Sequence, residues 1–187
     1  GGYIIGGAQN TIIKTDSTGS LQWYHKLLYS FSHYVEDVTQ TFSGDYIVVG
    51  GVGGDPGTGG HGQKGQAFIL RMSEGGGVQW VKRYGISNTP NDSFWGVVQA
   101  DDGGFVLAGE KLQDRNFEFY DHFWIVKTDG NGDMEWSHEL GGNLWDEALD
   151  IVKLSDDSYI LAGKKSLSSS NLDMWVMRIS SSGSVLW

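Results

Sequence analysis

One stretch of this 187-residue chain is written four times, and that repetition limits what the chain can fold into more than any other feature. In its clearest copy, Ile125 to Trp136, it reads I-V-K-T-D-G-N-G-D-M-E-W. A basic residue recurs at Lys14, Arg71, Lys127 and Arg178, and a glycine follows five positions later at Gly19, Gly76, Gly132 and Gly183. Four positions beyond each glycine stands a tryptophan: Trp23, Trp80, Trp136 and Trp187. The apolar residues before each basic position read as a strand, the glycine as a tight polar turn, and the tryptophan as the end of a second short strand.

The other half of the repeat is as regular. An aromatic residue opens Y-I-I-G-G (Tyr3–Gly7), Y-I-V-V-G (Tyr46–Gly50), F-V-L-A-G (Phe105–Gly109) and Y-I-L-A-G (Tyr159–Gly163). Ahead of the last three lie further strand-like runs, at 35–42, 94–100 and 148–154, each closed by a polar turn such as Ser43-Gly44-Asp45. The chain therefore reads as fifteen strands, three in the first repeat and four in each of the others, with no helical periodicity. Approximate repeat boundaries are 1–31, 32–88, 89–142 and 143–187, within one domain spanning 1–187.

Four short antiparallel strands in a unit of roughly 50 residues are the pattern of a β-propeller blade. A single four-stranded blade cannot bury both of its faces, so neighbouring blades cover them. The expected fold is all-β, a propeller of about four blades. The aromatics Trp23, Trp80, Trp136, Trp187, Tyr3, Tyr46, Phe105 and Tyr159 are expected to fill the layer between blades. A sugar-stacking platform of tryptophans is the alternative use of the same residues. Eight Trp, eight Tyr and eight Phe suit a small all-β module, since each large ring removes much apolar surface from water at ~25 cal/mol per Å².

The pattern W-x-x-x, then D-x-x-x-x-V-x-x-(D/S)-D-G-x-Y-I-x-A-G, then W-I-V-K-T-D-x-x-G, resembles the β-propeller repeats of exported bacterial and archaeal proteins. The turn and tryptophan of D-S-T-G-S-L-Q-W (Asp16–Trp23) are similar to the tryptophan-docking repeats of quinoprotein-like propellers, where the motif packs blades together. The resemblance covers the whole chain. It implies a propeller in a surface or secreted protein and carries no cofactor or activity with it.

The first repeat lacks its first strand, and the last stops at its tryptophan. Two solutions follow: the chain is a segment of a larger propeller, or a neighbouring chain donates the missing strand and a head-to-tail assembly results. With no initiator Met, the chain reads as a processed product or part of a longer polypeptide.

Charge and composition narrow the function classes. A net charge of −10 leaves no basic stripe for nucleic acid, and no apolar run is long enough for a membrane span. Without cysteine, disulfides, thiolate metal sites and thiol nucleophiles are excluded. No G-x-S-x-G elbow occurs, and none of His25, His33, His61, His122 and His138 forms a metal-ligand pair by spacing. His25 and His138, two residues past their tryptophans, read as an outer edge.

Four local patterns remain. The glycine-rich segment from Gly51 to Gly65 contains G-x-G-x-x-G but runs from strand to strand, so it reads as an insertion rather than a phosphate loop. Asp129-Gly-Asn131-Gly-Asp133 starts like a calcium loop but has Met134 and Leu140 where Gly and Glu are needed; a plain turn is the first reading and calcium the alternative. Asp146, Glu147 and Asp150 cluster near a strand start, as a glycosidase pair would require, although a solvated rim is the simpler reading. Asp37 matches Asp150 in the repeat. Asn91-Asp92-Ser93 is a glycosylation sequon, which makes Asn91 a candidate glycan site.

These observations lead to a non-enzymatic, exported structural or adhesive propeller module, secreted or at the cell surface. No catalytic residue, cofactor or metal is expected, and copies of the same chain are its expected partners. A fragment of a larger propeller enzyme acting on carbohydrate or using a quinone is the rival, and a protein-interaction hub is the third reading.

Overall fold

The computed structural model describes residues 1–7, 10–27, 33–52, 65–85, 92–115, 118–142, 144–168 and 171–187. The fold is all-β, four antiparallel sheets with no helix among the described residues. Each sheet takes its strands in chain order. Sheet 1 holds β1 (Tyr3–Gly7), β2 (Thr11–Thr15) and β3 (Leu21–Lys26). Sheet 2 holds β4 (His33–Gln40), β5 (Tyr46–Val52), β6 (Ala67–Met72) and β7 (Val78–Tyr84). Sheet 3 holds β8 (Ser93–Gln99), β9 (Phe105–Arg115), β10 (Glu118–Thr128) and β11 (Met134–Leu140). Sheet 4 holds β12 (Glu147–Lys153), β13 (Tyr159–Ser168) and β14 (Asn171–Ile179).

The spacing of the repeat is the spacing of a bulged hairpin. Lys14 sits directly opposite Trp23, Arg71 opposite Trp80 and Lys127 opposite Trp136, and the register shifts by one residue just after each basic position. The turns share one hydrogen-bond pattern: Asp16 N–H to Ser20 O, Ser73 to Gly77, Asp129 to Asp133 and Ser180 to Ser184, all 2.8–2.9 Å. Gly19, Gly76, Gly132 and Gly183 adopt φ of 78–87°, a left-handed conformation that a Cβ would strain, which is why the glycine recurs.

Two readings from the sequence need correction. The tryptophan does not end its strand: β3, β7 and β11 run three or four residues past it. The polar residues that follow, such as Tyr24-His25-Lys26, still pair with the neighbouring strand, and backbone pairing needs no apolar pattern on an edge. The fifteenth strand is reduced to one bridge, Ile179 to Val185, with two backbone hydrogen bonds joining Arg178 to Leu186 and Trp187.

The chain divides into two compact units, Gly1–Ser93 and Phe94–Trp187. In the first unit Ile12 from sheet 1 meets Tyr46, Val48, Phe68 and Leu70 from sheet 2 in one core. In the second, Val106, Phe123 and Ile125 from sheet 3 meet Ala148, Ile151, Tyr159 and Leu161 from sheet 4. Each core is built from alternate residues of facing sheets, as period-two burial requires.

Candidate functional site

Two constructions stand out, a joint between consecutive sheets and a group of carboxylates. In the first unit the indole of Trp23 reaches from sheet 1 onto the turn of sheet 2. Its Nε1–H donates to the Glu74 carbonyl at 3.1 Å, and its ring lies so close over Gly76 that a Cβ there would stand 3.0 Å from it. Its edge meets Tyr46 with ring centroids 5.9 Å apart. The second unit builds the same joint. Trp136 of sheet 3 lies over Gly183 of sheet 4, and it packs against the core that contains Tyr159. His138, two residues on, stacks beside Trp136 at 5.1 Å and touches the same glycine, so this histidine of an edge strand faces a neighbouring sheet.

Of the remaining aromatic positions, Phe105 is fully buried and Trp80 half-buried. Tyr3 and Trp187 are 61% and 60% exposed. Asn91 lies outside the described residues, as does most of the glycine-rich segment, residues 53–64.

Behind Trp80, Trp136 and Trp187 the opposing basic residue is held by acid from the turn between the first two strands of its own sheet. Arg71 pairs with Asp45 at 2.9 Å, Lys127 with Asp102 at 2.7 Å, and Arg178 with Asp156. Lys127 also meets Glu135 at 2.9 Å, the residue before its tryptophan. Burial opposes the Lys127 charge, but the hydrogen bonds to Asp102 and Glu135 outweigh it and hold the ammonium pKa above its usual value.

The carboxylates singled out in the sequence separate into different roles. Asp146 is fully buried and accepts N–H groups from Gly142 at 2.7 Å and Ser166 at 2.9 Å, so it ties loop to strand. Asp150 and Asp37 each sit at a register shift and accept the next N–H, from Ile151 at 2.8 Å and Val38 at 2.7 Å. They cap equivalent bulges. Asp129 accepts the N–H groups of Asn131 and Asp133, both at 2.8 Å, just as Asp16 serves Thr18 and Ser20. The calcium-like pattern is thus the turn-closing device of the repeat.

Glu147 belongs instead to a group that sequence spacing does not reveal. With Glu110 of β9 and Asp121 of β10 it places three carboxylate oxygens within 4.8 Å of one another. Lys164 neutralises Glu147 at 2.8 Å. Burial, then the charge of Glu147, raise the pKa of Asp121 to about 7, with Lys164 pulling the other way. A carboxyl poised there can hold or release a proton near neutrality. The signal available in the sequence was a charged residue interrupting the aromatic run F-Y-D-H-F-W of β10.

No protein-family model matches the chain, and no curated protein matches it. Among solved structures it is similar to a protein of unknown function from Bacteroides caccae, at 10% identity over 98% of this chain and 91% of that one. The TM-score is 0.30, too low to carry an argument about either fold or activity.

Proposed function

We propose that the chain is a non-enzymatic structural or adhesive module of β-propeller blades, exported to the cell surface or beyond, that associates with copies of itself. The observation that carries this reading is the joint between consecutive sheets. In both units it is divided: the tryptophan comes from one sheet, and the glycine turn and buried aromatic come from the next. Tyr3 of sheet 1 and Trp187 of sheet 4 stand at the aromatic and tryptophan positions of the repeat and are 61% and 60% exposed. A contact between copies that used these two different positions would be heterologous and would propagate. An acidic chain without cysteine suits an exported protein but does not carry the argument.

Sedimentation velocity over a wide concentration range tests it. The sedimentation coefficient should rise with concentration in the native chain and stop rising in Trp187→Ala and Tyr3→Ala. A single monomeric species at every concentration overturns the reading.

The rival reading, part of an enzyme acting on carbohydrate, draws its support from Glu110, Asp121 and Glu147. Hydrolysis of a glycan by the native chain that Glu110→Gln abolishes would favour it over the structural role.

A further inference from the structure

The carboxylates between sheets 3 and 4 are an addition to the repeat rather than part of it. Counted from the basic residue of each repeat, Asp121 corresponds to Gly65 and Leu172. Counted from the opening aromatic, Glu110 corresponds to Gly51 and Lys164, and Glu147 takes the place held by Tyr34 and Ser93 in the first strands of sheets 2 and 3. None of these counterparts is an acid, so the packing of sheet on sheet that the repeat provides does not require the group.

The three come from both sides of one joint. Glu110 on β9 and Asp121 on β10 belong to sheet 3, and Glu147 opens β12 of sheet 4, with one oxygen from each within 4.8 Å of the others. Asp121 is 6% exposed. The charged groups around it are accounted for from each neighbouring element. From β13, Lys164 pairs with Glu147 at 2.8 Å. From β9, Lys111 pairs with Glu139 of β11 and lies over the Trp124 ring. Ahead of β12, Asp146 has its carboxylate engaged by the N–H groups of Gly142 and Ser166. His122, the next residue on β10, is also buried.

Like charges this close and this poorly hydrated do not all ionise together; a proton shared among them turns repulsion into a hydrogen bond. The backbone is tied at the same place, since the Asp146 N–H donates to the Asp121 carbonyl at 2.9 Å. Loss of the proton sets β10 and β12 against each other across that bond. Deeper in the joint the Phe123 and Trp175 rings meet at 5.1 Å in an apolar core that carries no charge, so any parting stops there.

We infer that Glu110, Asp121 and Glu147 form a proton-held clasp, which keeps sheets 3 and 4 closed at this corner and lets the corner open as the medium turns alkaline. The inference stands apart from the assembly reading. Its direction agrees with the Asp121 carboxyl, which burial and then the charge of Glu147 push up to about 7 in the closed chain. Opening returns that group to ordinary aspartate behaviour, so the closed form is favoured fully below about pH 4 and loses ground up to about pH 7.

Amide hydrogen exchange of the native chain, followed residue by residue by NMR and corrected for the intrinsic rate at each pH, tests it. Protection of the Asp146 and Ser166 N–H groups should fall at least about tenfold between pH 5 and pH 8. Protection of the Asp129 N–H, which bonds the Asp133 carbonyl inside one turn of sheet 3, should stay constant. Asp121→Asn, which cannot ionise, should keep its protection at both pH values. Lys164→Met should move the fall to higher pH, because the ammonium draws the proton off Asp121; this variant carries the test if Asp121→Asn does not fold. Constant protection in the native chain overturns the inference. So does an equal fall at Asp129, an equal fall in Asp121→Asn, or a Lys164→Met profile that stays in place or moves to lower pH.

Discussion

Trp23 meets Tyr46 edge to face, their rings 5.9 Å apart and inclined at 63°, so one sheet is fastened to the next through a pair of residues 23 apart in sequence. The contact joins a half-buried tryptophan to a tyrosine that is 1% exposed in the core of the first unit.

Removing that tryptophan should loosen the first unit. Trp23→Ala loses the ring contact, the hydrogen bond to the Glu74 carbonyl and the cover over Gly76. A cost of about 2–3 kcal/mol is expected, below the full-burial range because the ring is partly exposed. Trp23→Phe should recover about half. Urea denaturation followed by far-UV circular dichroism measures both, and an unchanged midpoint for Trp23→Ala would show that the joint holds nothing.

Gly76 and Gly19 hold equivalent turn positions with nearly equal φ, 87° and 86°, but different surroundings. A Cβ on Gly19 meets nothing within 4 Å, whereas one on Gly76 meets the Trp23 ring at 3.0 Å. Gly19→Ala should cost only the backbone strain, about 1 kcal/mol. Gly76→Ala should cost that plus displacement of the indole, about 1–2 kcal/mol more. Equal losses in the two variants would mean that the ring moves freely.

The pH dependence of stability should carry the mark of Asp121. Its pKa rises from the ordinary aspartate range to about 7 on folding, so the folded chain keeps a proton that the unfolded chain has lost. Its contribution is therefore fully favourable below about pH 4, is lost as pH rises from 4 to 7, and is flat above. Other carboxylates have the opposite sign. At Asp102 burial raises the pKa, but the hydrogen bonds from Lys127 and Gly104 outweigh it and lower it overall, so its stabilisation disappears in acid. Comparing the native chain with Asp121→Asn isolates the residue. The variant should gain about 1–2 kcal/mol on the native chain between pH 4 and pH 8, allowing for partial solvent screening. A difference that does not vary with pH would show Asp121 titrating normally.

What could be read from the sequence, and what could not, divides by distance along the chain. The basic residue, glycine and tryptophan reported a hairpin correctly because its geometry is local: Lys127 faces Trp136 through a turn that only the ten residues from one to the other determine. Strand limits were placed within a residue or two for β8 and β12, where apolar runs mark them. The edge strands β3, β7 and β11 were cut short at the tryptophan, since their remaining residues alternate with no strong hydrophobic face. Of the carboxylate group only Glu147 was singled out from the sequence, with the wrong companions. Glu110 and Asp121 lie on neighbouring strands, and Glu147 comes from the next sheet, so only packing brings them together.

Because the joints of Trp23 and Trp136 take the ring from one sheet and the socket from the next, neither sheet of either pair owns a complete fastening. A change at Trp23 is felt at Gly76 and Tyr46, residues of another repeat, so the dependence between these copies runs in one direction along the chain. A row of such units has a head and a tail even though every unit is built to the same pattern.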